Sequence, residues 1–410
     1  MNWIPTKMAL LMAALALSAC GGGGSDSSTK LSFSSMVSFG DSLSDVGTYK
    51  VGAIAAVGGG KWTVNGTTTG PVNWTELLAS QLNLPAPCAA QTGLQSNLSA
   101  LPAVAVVDHP TCTNYAQGSA RVTSVYAPNS TTLQATLGAS NIGLIALPLA
   151  NQFTKHLTAH GNYTGKELVT VMVGGNDVFM HLNAVAAVVD YVNAALGGTA
   201  TPTEIATAKG VAQAAALVAE WSPADQATIA GGVTLATANA FTTMATTAAV
   251  TQMAIAATTQ AALVQTSLLD RGAKYVLVVN LPSVANTPLG LSQSANTQAL
   301  LTSMATTYNN TLQSALAGKA GVLYVDAYTQ GLDQTANPAQ YGLTNVTTPA
   351  CRADSSNILA GSSLACTTSN TLSGVDVSSY QYADTVHPTP AGYKLLNRYI
   401  ALQMAKAGWL

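Results

Sequence analysis

The sequence predicts an α/β fold in which a parallel sheet carries helices on both faces. Three observations predict it. Four short apolar, β-branched runs stand far apart in the chain, at residues 36–39, 168–173, 275–279 and 322–325. Each ends in a polar or glycine-bearing turn, and stretches of helical periodicity separate them. Buried parallel strands read as continuous apolar runs, and strands alternating with helices build a sheet covered on both sides. In such sheets ligands gather at the carboxyl ends of the strands.

Composition limits what the fold can do. The chain has 410 residues, 48% of them hydrophobic. Single cores stop growing at about 250–300 residues, so a second domain or a large insertion is expected. Lys and Arg total 15 against 17 Asp and Glu, and only 8% of residues are charged. With no basic run to neutralise phosphates, nucleic acid is excluded as a partner. The surface is polar but largely uncharged.

Taken in order, the N-terminus comes first. Residues 1–19 hold one lysine, Lys7, then an apolar stretch at 8–17 and the small pair Ser18-Ala19. That stretch is too short to span a bilayer and reads as an export signal. Leu17-Ser18-Ala19-Cys20 resembles the lipobox of bacterial lipoproteins, which implies lipidation at Cys20 and a membrane anchor there. Several acyl chains on one residue would hold stably. The glycine- and serine-rich residues 20–30 then read as a flexible tether, and 31–410 as the folded domain. The expected location is the bacterial outer membrane, facing the periplasm or the cell surface, with secretion as the alternative.

Cys88, Cys112, Cys351 and Cys366 remain. An even count in an exported chain suggests two disulfides. Local pairing, Cys88 with Cys112 and Cys351 with Cys366, is the simplest choice, and the other two connectivities stay open. Further along, 74–82 reads as a helix entered after Asn73. Residues 182–269 are rich in Ala and Thr and helical in period, and read as an insertion between two core strands. They cover the sheet or form a lid over the cleft. The last helix, 391–407, has Tyr393, Leu396, Tyr399, Ile400 and Met404 at helical spacing.

Four segments carry the chemistry: Gly40-Asp41-Ser42-Leu43-Ser44-Asp45, Asn114-Tyr115-Ala116-Gln117-Gly118-Ser119, Gly174-Gly175-Asn176-Asp177, and Asp384-Thr385-Val386-His387-Pro388. Together they hold the parts for acyl transfer. A serine needs a base to take its proton, and the base needs a carboxylate to fix its tautomer. Ser42, His387 and Asp384 are the candidates. The oxyanion of the tetrahedral intermediate needs donors, for which Ser42 N–H, the Gly118 segment and Asn176 are available. Asp41 and Asp45 read as braces of the Ser42 turn. His109, His156, His160 and His181 have no acidic or cysteine partner at a useful spacing and read as structural. Trp62, Trp74 and the tyrosines read as packing.

These blocks resemble the GDSL, or SGNH, family of serine esterases and lipases. The resemblance implies a three-layer α/β/α, flavodoxin-like hydrolase with a central parallel sheet, here with an Ala/Thr-rich helical insertion. It implies Ser42, Asp384 and His387 as catalytic residues, and Ser42, Gly118 and Asn176 as the oxyanion hole. Many members carry two glycines in the second block where this chain has Gly118-Ser119, so the donor is Gly118 or Ser119. The resemblance is closest to the esterase passenger domains of bacterial autotransporters. Those continue into a β-barrel; here a lipid on Cys20 is expected in its place. The implied substrate is a small-molecule or lipid ester, with no cofactor and no metal. Oligomeric state is not readable. A phospholipase or acyltransferase of the same family, or a surface lipoprotein without activity, is the alternative.

Other enzyme classes lack their motifs. There is no GxSxG elbow, and no HExxH or CxxC pattern for zinc. Gly58-Gly59-Gly60-Lys61 lacks both the leading glycine and the Ser/Thr of a phosphate loop. The walls of the substrate pocket are expected from residues 49–71 and from the 182–269 insertion.

Overall fold

A computed structural model describes residues 31–138 and 142–410. The export segment 1–19, Cys20 and the tether 20–30 lie outside the described residues. The chain begins with β1 (Ser35–Gly40), followed by α1 (Gly52–Ala56), α2 (Trp74–Gln81) and an antiparallel pair, β2 (Gln91–Leu94) and β3 (Val104–Asp108). Next come α3 (Thr131–Leu137), α4 (Leu149–His160) and β4 (Glu167–Met172). A long crossover of α5 (Gly175–Leu196), α6 (Pro202–Val218), α7 (Pro223–Gly231) and α8 (Ala238–Leu263) leads to β5 (Tyr275–Val279). The chain closes with α9 (Pro288–Leu291), α10 (Ala295–Leu316), β6 (Val322–Val325), α11 (Ala327–Ala336) and α12 (Pro390–Lys406).

The central sheet runs β1-β4-β5-β6, every neighbour parallel. Residues 113–117 extend it beyond β1. Ser38 N–H donates to the Thr113 carbonyl (2.9 Å), Tyr115 N–H to Ser38 (2.7 Å) and Gln117 N–H to Gly40 (3.1 Å). The chain therefore leaves β1 toward this edge and returns to β4 on the opposite side. That reversal is a topological switch point, and in open α/β sheets it opens a crevice at the carboxyl ends of the strands.

Alternation along the strands sends successive side chains to opposite faces. Val37, Val169, Val171, Val276 and Val278 face a core shared with α4, α5, α8 and α10. Met36, Leu168, Met172, Leu277 and Val279 face a second core, closed by Trp74 and Leu78 of α2 and by Tyr393, Ile400 and Met404 of α12. Three layers result: helix, sheet, helix. Within 182–269 the chain is helical almost throughout, with α5 and α8 buried against the sheet side and α6 outside them. The 22 residues of α5 are apolar enough to cross a membrane. Here that composition serves a helix enclosed between the sheet, α6 and α8, which must be apolar around most of its circumference.

Both disulfides follow the local pairing. Cys88–Cys112 and Cys351–Cys366 have Cα atoms 5.1 and 5.9 Å apart. The β2–β3 hairpin lies outside the sequence expectation.

Candidate active site

The site begins where β1 ends. Gly40 has φ +147°, and a Cβ there would stand 2.0 Å from the Met172 carbonyl of β4, so only glycine allows the strand to turn there. The Gln152 side chain of α4 pairs with this residue as a strand would. Its Oε1 accepts from Gly40 N–H and its Nε2 donates to the Gly40 carbonyl, both at 2.8 Å. Beyond Gly40, Asp41 Oδ1 accepts from Leu43 N–H (3.0 Å). Asp45 Oδ1 accepts from Gly47 and Thr48 N–H (2.9 and 2.8 Å). Between the two aspartates sits Ser42, with its side chain lining a cleft.

Opposite it stands His387, in a loop pinched by the Ala383 N–H to His387 carbonyl bond (2.8 Å). His387 Nε2 lies 2.8 Å from Ser42 Oγ. On the other ring nitrogen, His387 Nδ1 lies 2.9 and 2.8 Å from the two Asp384 oxygens. Asp384 also accepts from the N–H groups of Val386 (2.9 Å), His387 (2.7 Å) and Ser363 (2.8 Å). Burial pushes its carboxyl up, but the His387 ring and these donors together hold it well below the usual carboxylate range. Asp384 therefore stays ionised. Burial pushes Asp41 up to about 7 despite the Leu43 N–H and the nearby His387. Asp45 is also raised by burial, against the pull of Gly47, Thr48 and Gly118 N–H.

The second block resolves into two unlike neighbours. Gly118 N–H is already used, donating to Asp45 Oδ2 at 3.0 Å, while its carbonyl accepts from Tyr49 Oη at 3.0 Å. A Cβ on Gly118 would fall 2.4 Å from the Trp62 indole, so glycine here is explained by close packing. Ser119 has φ +68° and is 7% exposed. No acceptor among the described residues takes the backbone N–H of Ser119 or of Ser42. Asn176, in the first turn of α5, uses one amide hydrogen on the Ala120 carbonyl (3.0 Å). That bond brings Asn176 up to the Ser119 segment and leaves its second hydrogen without a protein acceptor among the described residues. Ser42 and Asn176 both line the cleft, and unpaired buried donors cost about 1–3 kcal/mol each.

A buried ion pair ties these segments together. Arg121 Nε lies 2.9 Å from Asp177 Oδ1, with both side chains 3% exposed. Asp177 Oδ2 accepts from Val122 N–H (3.2 Å), and Arg121 also donates to the carbonyls of Tyr126 and Val218. Sequence reading passed over Gln152 and this pair. Gln152 carries no local signal, whereas an arginine just after the second block, in a chain so poor in charge, is a readable one.

The cleft walls differ from expectation. They come from the loop after β5 (Leu281, Pro282, Val284), from α11 (Gln330, Gln334) and from the stretch leading to α12, with Phe179 of α5. Among the described residues, neither 49–71 nor 182–269 contributes a lining residue. The physical reason is topological: the switch point opens toward β4, β5 and α11, while the insertion lies against the sheet face and Trp62 packs behind His387 and Gly118.

The family model described as GDSL-like Lipase/Acylhydrolase matches residues 185–400. A comparison with curated proteins finds no match. The matched stretch is a little over half of the chain. It includes β5, β6, the cleft walls after them and the Asp384–His387 loop, while Ser42, Ser119 and Asn176 precede it. With the parallel sheet and helices on both of its faces, this chain belongs to the GDSL-like lipase/acylhydrolase family.

Proposed function

We propose that the chain is a serine hydrolase of neutral carboxylic esters, with Ser42 as nucleophile, His387 as base and Asp384 as its orienting carboxylate. One observation carries the reading: the imidazole bridges Ser42 Oγ and the Asp384 carboxylate at hydrogen-bond distance on both sides. Ser42 Oγ attacks the ester carbonyl and its proton passes to His387 Nε2. The resulting oxyanion meets Ser42 N–H, Ser119 N–H and the second amide hydrogen of Asn176. In this reading Ser119, not Gly118, supplies the second donor, because Gly118 N–H is committed to Asp45. The intermediate collapses as His387 returns the proton to the departing alcohol, leaving an acyl-enzyme. Water, deprotonated by His387, then releases the acid and restores Ser42.

The cleft supports an apolar acyl group. Leu43, Met172, Phe179, Leu281, Val284 and Leu396 line it, and among the described residues no Lys or Arg does. A wall without cations favours an uncharged ester over a phosphate-bearing one. The two disulfides hint at export, and a lipid on Cys20 would hold the enzyme at a membrane.

Hydrolysis of p-nitrophenyl esters from acetate to palmitate, in wild type and Ser42→Ala, tests the assignment. Activity and labelling by a covalent serine probe are both expected to vanish in the variant. An active Ser42→Ala enzyme would overturn the reading.

A further inference from the structure

We propose that Trp62 is a positioning residue that holds His387 and stabilises its protonated form; this rests on the triad reading above. The indole lies over the imidazole, with ring centroids 4.8 Å apart and planes inclined by 34°. Among the described residues it is the aromatic ring in contact with His387. The indole itself is fixed on every side. It touches Gly118 closely enough to exclude a Cβ there. Tyr49 meets it edge-on at 6.2 Å, and its carbonyl accepts from Tyr393 Oη at 3.1 Å. Next to it, Thr63 Oγ1 donates to the Pro388 carbonyl at 2.9 Å, tying this stretch to the His387 loop.

The indole N–H is buried and has no hydrogen-bond partner among the described residues, so the ring face, not the N–H, is what Trp62 offers. That face carries the negative end of the aromatic quadrupole and attracts a cation. During attack His387 becomes an imidazolium as it takes the Ser42 proton, so the attraction grows in the step that needs it. The charged and titratable groups around the ring are Asp384 on Nδ1, Ser42 on Nε2 and Asp41 from the turn after β1. On the Trp62 side, Tyr393 of α12 donates to the Trp62 carbonyl, and Lys61, the preceding residue, pairs with Glu76 of α2.

The test is the pH dependence of kcat/KM for wild type, Trp62→Phe and Trp62→Leu, with melting curves for each. For Trp62→Leu, kcat is expected to fall on the order of tenfold, with KM within about twofold. Its acid limb should move to lower pH by about half a unit, because a less stabilised imidazolium forms only in more acid solution. Trp62→Phe, which keeps a weaker face, should shift the same way by less, and decides the matter if the leucine variant fails to fold. An acid limb that stays, or moves to higher pH, would overturn the proposal and leave the indole as packing. Ser42→Ala, assayed alongside, separates the two readings: activity surviving in it sinks the triad, while an unmoved limb with a dead Ser42→Ala sinks only the role of Trp62.

Discussion

Ser119 holds a left-handed backbone, φ +68°, that costs an ordinary L-residue about 1–2 kcal/mol. Its N–H finds no acceptor among the described residues, unlike those of its neighbours, Gly118 N–H on Asp45 and Ala120 N–H on Gln117. If only the backbone donor matters, Ser119→Gly should keep kcat within about twofold. It should also gain about 0.5–1 kcal/mol of stability, the relieved strain less the entropy glycine adds to the unfolded chain. Rate assays with thermal or urea melts read both. A large loss of kcat would place the function in the serine hydroxyl instead. At this scale the sequence was partly legible. The residue types in the four blocks pointed to Ser42, Asn176, Asp384 and His387, and the fold brings those side chains to one end of the sheet. It left Gly118 and Ser119 undivided, because what separates them is a dihedral angle and a hydrogen bond that Gly118 N–H donates to a carboxylate 73 residues upstream.

At the scale of elements, the four parallel strands were readable because β1, β4 and β5 are buried on both faces and all four show as short, largely apolar runs. β2 and β3 were not: they are short, partly exposed and irregularly paired around Gly93. The cleft walls were equally hidden, since nothing in a loop's composition says which side of a sheet it closes. The Arg121–Asp177 pair shows what joins the elements. It fastens the segment after Ser119 to the first turn of α5, where Asn176 sits, and to the carboxyl end of α6 through Val218. Removing one partner strands the other charge in the interior. Arg121→Met is therefore expected to cost about 3–5 kcal/mol, read as a lowered denaturation midpoint. Arg121→Met with Asp177→Leu should recover part of that stability, because no buried charge is left. Equal loss in the single and double variants would mean that packing, not charge, holds the junction.

Across the whole molecule, residues 350–367 form a strap that links distant parts of the site. Cys351 N–H donates to the Ala383 carbonyl (2.8 Å), next to Asp384, and Ser363 N–H donates to Asp384 itself. On its other side the strap accepts from Gly60 and Asn65 N–H, the stretch that carries Trp62. The Cys351–Cys366 disulfide closes this strap over 15 residues, and Cys88–Cys112 closes a loop of 24 that holds the β2–β3 hairpin. Chain-entropy reasoning gives each about 3 kcal/mol of stability, so both Cys→Ala pairs should melt at lower temperature. Their effects on rate should differ. Without Cys351–Cys366, Asp384 loses the fixed frame of one of its donors, and kcat is expected to drop on the order of tenfold well below the melting temperature. Without Cys88–Cys112, the hairpin loosens beside residues 113–117, but the Ser42–His387–Asp384 geometry keeps its other supports, and kcat should hold within about twofold at that same temperature. Steady-state kinetics on the two double variants, each assayed at least ten degrees or so below its own melting point, distinguish a strap that orients the carboxylate from one that only stabilises the fold.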